Sequence, residues 1–219
     1  MNLPEPAWAI ALRSTRAERR NGIALIFDEV ITGFRLGMGG AQQHFGVTPD
    51  LAVFGKAMAN GYPISVLAGK RDWMRLIAEG KVIHAGTMNS GQPSVAAALA
   101  TLEVLERDFV HERLFSLGQR LMEGIRQVAQ ETGHSVLVQG LGPMFHVGFT
   151  TQTSVRDCRD AFCYDKPKYA AFVLAMQERG VLVLPAGGTV IRFLPPILIE
   201  DAQLDEGIEA MAEALRLAG

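Results

Sequence analysis

Two stretches of the sequence decide the fold: Ile23-Ala24-Leu25-Ile26-Phe27-Asp28-Glu29 and Leu51-Ala52-Val53-Phe54-Gly55-Lys56. Each is a short apolar run, typical of a strand, that ends at charged residues. In an open α/β sheet the ligand-binding crevice lies outside the carboxyl ends of the strands. The two stretches therefore place Asp28 and Lys56 where such proteins usually carry out their chemistry, although ordinary solvated loop residues can give the same pattern.

The sequence around these strands is more specific than the two charged residues alone. Linked motifs follow one another at residues 28–35, 39–42, 45–51, 54–63, 84–87, 142–145 and 192–196. In this order and spacing they resemble the class III aminotransferases, which use pyridoxal phosphate (PLP), over nearly the whole chain. The resemblance implies an α/β fold, fold type I of the PLP-dependent transferases. It also implies a partial PLP-binding large domain at residues 1–107 and a C-terminal small α/β domain at residues 108–219.

The resemblance further implies which residues hold the cofactor. Lys56 matches the lysine that forms a Schiff base with the cofactor aldehyde and, once freed, moves the proton between the substrate Cα and the cofactor. Asp28 matches the carboxylate beside the pyridine nitrogen, where an opposite charge keeps that nitrogen protonated. Val30 would pack against one face of the ring, although a valine at this place could also be an ordinary core residue.

Thr87 and Arg192 are the remaining candidates. In the family, the threonine that matches Thr87 reaches across a dimer interface to the partner's PLP phosphate, so the resemblance implies a homodimer. The alternative for Thr87 is a plain N-terminal cap region before a helix. Arg192 alternates with apolar Ile191 and Phe193, and we expect its guanidinium to face inward and bind a substrate carboxylate at two points. A structural salt bridge is the alternative for Arg192.

Two interpretations of the reaction remain. Many class III aminotransferases have Gln directly after the Asp-Glu-Val triplet, whereas this chain has Ile31, as in members that resemble glutamate-1-semialdehyde aminomutase. Residues 157–180 favour the same branch, but residues 192–196 resemble the carboxylate-binding signature of ordinary transaminases. We therefore expect first an aminotransferase that moves an amino group between an amino donor and a keto acid or aldehyde. An aminomutase-like isomerase is the second expectation.

A hypothesis of another class comes from what precedes the first motif. Only 27 residues precede Asp28, whereas a family member would begin with most of the large domain, including the main site for the PLP phosphate. The chain resembles the C-terminal half of an enzyme, so a catalytically inactive fragment or interaction module is an alternative. A dinucleotide-binding domain is a weaker one, because residues 37–40 do not give a G-x-G-x-x-G pattern between a strand and a helix.

Composition argues against several other classes. The chain of 219 residues has 48% hydrophobic and 20% charged residues and a net charge of -2, which predicts no binding to nucleic acid or to an anionic membrane. Its apolar runs are too short to span a bilayer, and the run at residues 7–12 lacks the basic region of a secretory signal. Cys158 and Cys163 have no second pair, so we expect no metal site, no disulfide framework and a cytoplasmic location.

Residue periodicity predicts the order of the elements. Helices are expected at residues 5–20, 93–107, 112–131, 168–179 and 202–217. Strands are expected at residues 23–27, 51–54, 64–68, 135–138, 144–149, 181–184 and 189–194. A glycine-rich loop is expected at residues 33–40.

Overall fold

The structure is a computed structural model that describes residues 20–157, 159–187 and 190–217. It divides into two compact units, residues 1–111 and residues 112–219. The helix predicted at residues 5–20 lies outside the described residues except for Arg20. The domain boundary predicted near residue 107 falls at the end of the helix Gln92–Arg107 and stays a prediction.

The first unit is built on a three-stranded sheet in the order β1-β2-β3. The strands are β1 (Ile26–Glu29), β2 (Leu51–Phe54) and β3 (Val66–Gly69). Strands β1 and β2 are parallel, and β3 is antiparallel to β2. Helix α1 (Gly40–Phe45) lies between β1 and β2 in sequence, and helices α2 (Arg71–Ala78) and α3 (Gln92–Arg107) follow β3.

Parallel pairing brings the carboxyl ends of β1 and β2 to one edge of this sheet, with Glu29 opposite Phe54. Directly after β2 comes a 3₁₀ turn (Lys56–Ala59). Met58 and Ala59 are buried against Ala98 of α3, so the turn is anchored to a helix rather than only to the loop that contains it.

The second unit contains a four-stranded antiparallel sheet in the order β4-β5-β7-β6. Its strands are β4 (Val136–Leu141), β5 (Met144–Phe149), β6 (Leu184–Ala186) and β7 (Val190–Phe193). Its helices are α4 (Val110–Glu131), whose first two residues precede the division, α5 (Lys166–Glu178) and α6 (Asp201–Leu217).

The helices of this unit and one face of its sheet form the core. Strand residues alternate between two faces, and the core face carries Phe145 and Val147 of β5 with Ile191 and Phe193 of β7. The rings of Phe145 and Phe193 stack with their centroids 5.0 Å apart. The helices contribute Leu117, Leu121, Ile125, Phe172, Met176, Leu204 and Met211. Full burial of one such side chain contributes about 1.5–3 kcal/mol.

Helix α4 lies very close to the turn of the β4–β5 hairpin, and two glycines allow this approach. A Cβ atom on Gly118 would lie 2.2 Å from the carbonyl oxygen of Gly142. A Cβ atom on Gly142, which has a positive φ of 49°, would lie 2.5 Å from the Phe115 ring. The hairpin turn and the helix surface therefore fit only without side chains at these two positions.

The strand predicted at residues 181–184 is wrong in its position, because β6 begins at Leu184. Gly180 adopts a left-handed φ of 76°, and the Val181 N–H still donates to the Met176 carbonyl at the end of α5. Gly180 and Val181 thus belong to the end of the helix and not to the sheet. Strand β7 lies within the predicted residues 189–194, of which Thr189 is outside the described residues.

Candidate active site

Asp28 and Lys56 lie at the carboxyl ends of two adjacent parallel strands. Asp28 is the third residue of β1, and Lys56 begins the turn that follows β2. Both residues are exposed. Within the described part of the chain, neither side chain forms a salt bridge, whereas Lys70 pairs with Asp50 at 2.6 Å and Lys81 with Glu79 at 2.7 Å. The edge therefore presents a carboxylate and an amine that are free to meet a ligand.

The backbone of Lys56 has an unusual conformation. Its φ is +47°, in the left-handed region that residues with a side chain adopt rarely. Such conformations cost about 1–3 kcal/mol each and persist where the surrounding structure holds them. Here Met58 and Ala59, which are both buried, anchor the turn that begins at Lys56. The chain thus keeps a strained residue at the point where the sequence predicts the reactive lysine.

The residues after Asp28 form a tight turn. The Asp28 Oδ1 accepts a hydrogen bond of 3.0 Å from the Val30 N–H. Val30 is half-buried, and its Cγ1 lies 3.8 Å from the place that a Cβ of Gly55 would take. Val30 therefore packs beside the residue that precedes Lys56.

Glu29 is a residue of this edge that the sequence analysis did not single out. It is fully buried, with 0% of its surface exposed. Its Oε2 accepts from the Ala41 N–H at 2.9 Å and from the Thr32 hydroxyl, and its Oε1 accepts from the Gln42 N–H at 2.9 Å. The carboxylate thus binds the start of helix α1, which ties the loop after β1 back onto the strand.

The two-residue period of a β-strand could have indicated that Glu29 has a structural role. Neighbouring residues of a strand point to opposite sides, so Asp28 and Glu29 cannot both face the same crevice. Gly40 shows how tightly the buried carboxylate fits. It has a φ of +60°, and a Cβ there would lie 2.6 Å from the Glu29 Oε2.

Thr87 lies in a different environment. Residues 79–90 are all exposed, and they include three large apolar side chains, Val82 at 47%, Ile83 at 89% and Met88 at 81% exposure. Among the described residues, no hydrogen bond links Thr87 to Asp28 or Lys56. Exposed apolar side chains clustered in one segment are typical of a surface that another surface covers.

Arg192 lies on β7 between two core residues, but its own side chain is exposed. The expectation that its guanidinium faces inward is wrong, because the two-residue period that buries Ile191 and Phe193 turns Arg192 to the opposite sheet face. Among the described residues, none accepts a hydrogen bond from Arg192 or forms a salt bridge with it. The structure therefore offers no described partner for the alternative of a structural salt bridge.

Two further residues on that face, His146 and Tyr164, were also missed by the sequence analysis. The His146 Nε2 and the Tyr164 Oη are 3.2 Å apart. Burial, together with Cys163, raises the pKa of Tyr164 to about 12. Burial and the positive charge of Arg192 lower the pKa of His146 from its ordinary value of 6.5. The alternation in β5 could have indicated the face of His146, but Tyr164 comes from a loop that gives no periodic signal.

A cavity of about 460 Å³ lies in the second unit, with Arg192 among its lining residues. Its other walls are mostly apolar and come from Val181, Val183, Phe193, Leu194, Ile199 and Leu204. None of the candidate residues of the first unit lines it. Within the described residues, no group of three or more His, Cys, Asp or Glu side chains could hold a metal ion. No helix in that part of the chain combines the length and apolar character needed to cross a membrane.

Comparison with known proteins gives a consistent result. The family model of the class III aminotransferases matches residues 1–215. A glutamate-1-semialdehyde 2,1-aminomutase of Thermomicrobium roseum is 38% identical over 98% of this chain and 50% of its own length. An omega-transaminase of Sphaerobacter thermophilus is structurally similar, with a TM-score of 0.84 and 28% identity, over 99% of this chain and 49% of its own.

A second solved structure, described as a transaminase with PLP bound, has a TM-score of 0.79 and 28% identity over 99% of this chain and 49% of its own. The chain spans about half the length of the curated relatives that it matches.

Proposed function

We propose that this chain, which belongs to the class III aminotransferase family, forms the half of a PLP-dependent transaminase that carries the cofactor-bonding lysine. The fold is that of the fold type I PLP-dependent transaminases, so the prediction of the fold is confirmed. The proposed reaction moves an amino group between an amino donor and a keto acid or aldehyde.

The observation that best supports this proposal is the strand edge that presents Asp28 and Lys56. A carboxylate and an amine suit the two reactive ends of PLP, its pyridine nitrogen and its aldehyde, so the residues present fit this cofactor. When bound, PLP supplies an electron sink for the bond that breaks at the substrate Cα. Asp28 would hold the proton on the pyridine nitrogen, because an opposite charge favours the protonated form.

Lys56 would have two roles. It would bind the cofactor aldehyde covalently, and after substrate has displaced it, its Nζ would accept and return the proton of the substrate Cα. The left-handed backbone and the buried Met58 and Ala59 give the lysine a fixed starting position. Val30, held beside Gly55, would cover one face of the ring and exclude water there.

Binding of the cofactor phosphate would depend on other parts of the protein assembly. We propose that the chain acts in a homodimer, in which the Thr87 hydroxyl contacts the phosphate of the partner's cofactor. The exposed apolar side chains of Ile83 and Met88 support a covered surface in this segment. A cytoplasmic location is also proposed, supported by a sequence without a disulfide framework.

Arg192 is the proposed site for a substrate carboxylate. Its guanidinium is exposed and has no described partner, and its planar fork matches a carboxylate at two points. This role fits an amino acid as one of the substrates.

Borohydride reduction in the presence of PLP tests the central proposal. In a complete polypeptide that joins this chain to the remaining half, peptide mapping should find the reduced cofactor on Lys56. Lys70 and Lys81 are matched controls, because each already has a carboxylate partner. Label mainly on either of them would refute the assignment of Lys56.

A second candidate function is an isomerase like glutamate-1-semialdehyde 2,1-aminomutase. The similarity to relatives of that name favours it, as does Ile31 at the place where many aminotransferases have Gln. The two functions differ in what they consume. An aminomutase would convert one amino aldehyde with no added keto acid, whereas an aminotransferase would stop after one half-reaction until a keto acid is added.

A further inference from the structure

The sheet of the second unit carries a row of side chains on the face opposite its core. Register pairs Gln139 with His146, His146 with Arg192, and Arg192 with Leu184. Directly paired residues on antiparallel strands have their Cβ atoms about 4.5–5.5 Å apart. His146 and Arg192 are therefore immediate neighbours on one surface.

Only two polar groups of this row are available to a ligand. The Gln139 side chain is engaged by the backbone of Val155, donating to its carbonyl at 2.9 Å and accepting from its N–H at 3.0 Å. Leu184 is apolar. His146 and Arg192 remain, and among the described residues Tyr164 is the only hydrogen-bond partner of the His146 ring.

Close packing fixes the position of Tyr164 next to His146. The residue is buried, and its ring lies so close to the backbone of β5 that a Cβ on Gly148 would be 2.3 Å from the Tyr164 Cε1. The Tyr164 hydroxyl keeps its proton at neutral pH, because its pKa is raised to about 12. In the tautomer in which the Tyr164 hydroxyl donates to the His146 Nε2, the proton of the neutral imidazole lies on Nδ1. His146 then has one fixed N–H donor beside the Arg192 guanidinium.

We propose that His146, oriented by Tyr164, is a specificity-determining residue that donates a second hydrogen bond to the substrate carboxylate bound by Arg192. This inference rests on the proposed role of Arg192. His146 would contact the substrate itself, and Tyr164 is a positioning residue. A core histidine is the simpler explanation for a lone imidazole, but His146 lies on the sheet face away from the core, beside an arginine that has no described partner.

The charge on His146 provides a direct readout. The groups that face it are Arg192 from β7, Tyr164 from the loop before α5, and the uncharged Gln139 from β4, with Cys163 next to Tyr164. A carboxylate bound between His146 and Arg192 would favour the imidazolium and raise the pKa of His146. Removal of the positive charge of Arg192 would raise the pKa of His146 in the substrate-free protein.

The experiment uses the complete polypeptide in which this chain is joined to the remaining half. Histidine-specific NMR should show that a keto acid without an amino group raises the pKa of His146, and that Arg192→Ala abolishes this rise. In steady-state assays, His146→Leu should raise KM about tenfold or more for an amino acid. KM for the matching amine without a carboxylate should not change.

Two conservative variants distinguish a direct contact between His146 and the substrate from a purely structural role of His146. His146→Asn retains an N–H donor and should recover part of the lost selectivity. Tyr164→Phe removes only the hydroxyl and keeps the ring on Gly148, so it should reduce selectivity about two- to tenfold, the range of one neutral hydrogen bond. Arg216→Ala, on an exposed residue of α6, controls for the general effect of removing a positive charge.

The outcomes distinguish this inference from the function on which it rests. If Arg192→Ala abolishes selectivity for the carboxylate and His146→Leu does not, only the role of His146 is overturned. If neither variant changes selectivity, the carboxylate site at Arg192 is overturned as well. A His146 pKa that does not respond to the keto acid overturns the inference even if a variant fails to fold.

Discussion

Replacement of Glu29 by Gln should destabilise the first unit, although the two side chains have nearly the same shape. The carboxylate accepts from two backbone N–H groups of α1 and from the Thr32 hydroxyl. The amide can keep one oxygen in place, but its NH₂ then faces at least one of these donors and leaves it unsatisfied. A buried unsatisfied donor costs about 1–3 kcal/mol, and hydrogen bonds to a charged acceptor contribute about 1.5–3 kcal/mol each. We therefore expect a loss of about 2–4 kcal/mol.

Urea denaturation of the complete polypeptide, monitored with a probe in the first unit, measures this loss in the free energy of unfolding. Glu79→Gln is the matched control, because Glu79 is exposed and its one salt bridge to a described residue is with Lys81, and such surface pairs contribute about 0–1 kcal/mol. The Glu29→Gln variant should also bind PLP more weakly, since the loop that contains Val30 is tied to the buried carboxylate. If both variants have the same urea midpoint, Glu29 does not hold this loop and the reasoning is refuted.

Three further predictions concern the second unit and the chain as a whole. Arg192→Lys should weaken amino-acid substrates far more than amines without a carboxylate, as measured by kcat/KM, and equal losses would indicate a structural role. Gly118→Ala should destabilise the protein by more than about 2 kcal/mol, because its Cβ would overlap the Gly142 carbonyl. Gly207→Ala in α6, where nothing lies within 4 Å, should instead stabilise it by about 0.5–1 kcal/mol; equal thermal shifts would contradict this packing argument. The 219-residue chain by itself should neither retain PLP after dialysis nor transaminate, and a monodisperse preparation that does both would show this wrong.

The long helices of the second unit could be predicted from the sequence because their signals are local. The apolar residues of α4 recur at helical spacing, and its observed bounds, Val110–Glu131, differ by only two residues from the predicted start. Gly133, with a φ of 73°, ends it as expected. Helix α6 likewise begins one residue before its predicted start.

Helix α1 was not predicted because its cause is not local. It has six residues, Gly40–Phe45, and too few turns to show a period. Its first N–H groups are bound by Glu29, which lies more than ten residues earlier on another element. Segments that depend on such a distant partner give no pattern within their own sequence. The same limit applies to Tyr164, whose importance depends on His146 and on the absence of a side chain at Gly148.

Asp28 and Glu29 explain how one strand end can serve both structure and chemistry. Both are carboxylates at the end of β1, yet the strand turns one outward and the other into the protein. Within the part of the chain that the structure describes, the outward carboxylate accepts one backbone hydrogen bond, from Val30, and can still meet a cationic ligand. The inward one is fully engaged and therefore unavailable, but it fixes the loop on which the first depends. Exchange of the two roles would require a shift of the strand by one residue, which would also turn the partly buried Phe27 to the exposed side of β1. The order Asp-Glu is thus determined by the register of β1, and the placement of Asp28 and Lys56 at the same edge of the sheet follows from the parallel pairing of β1 with β2.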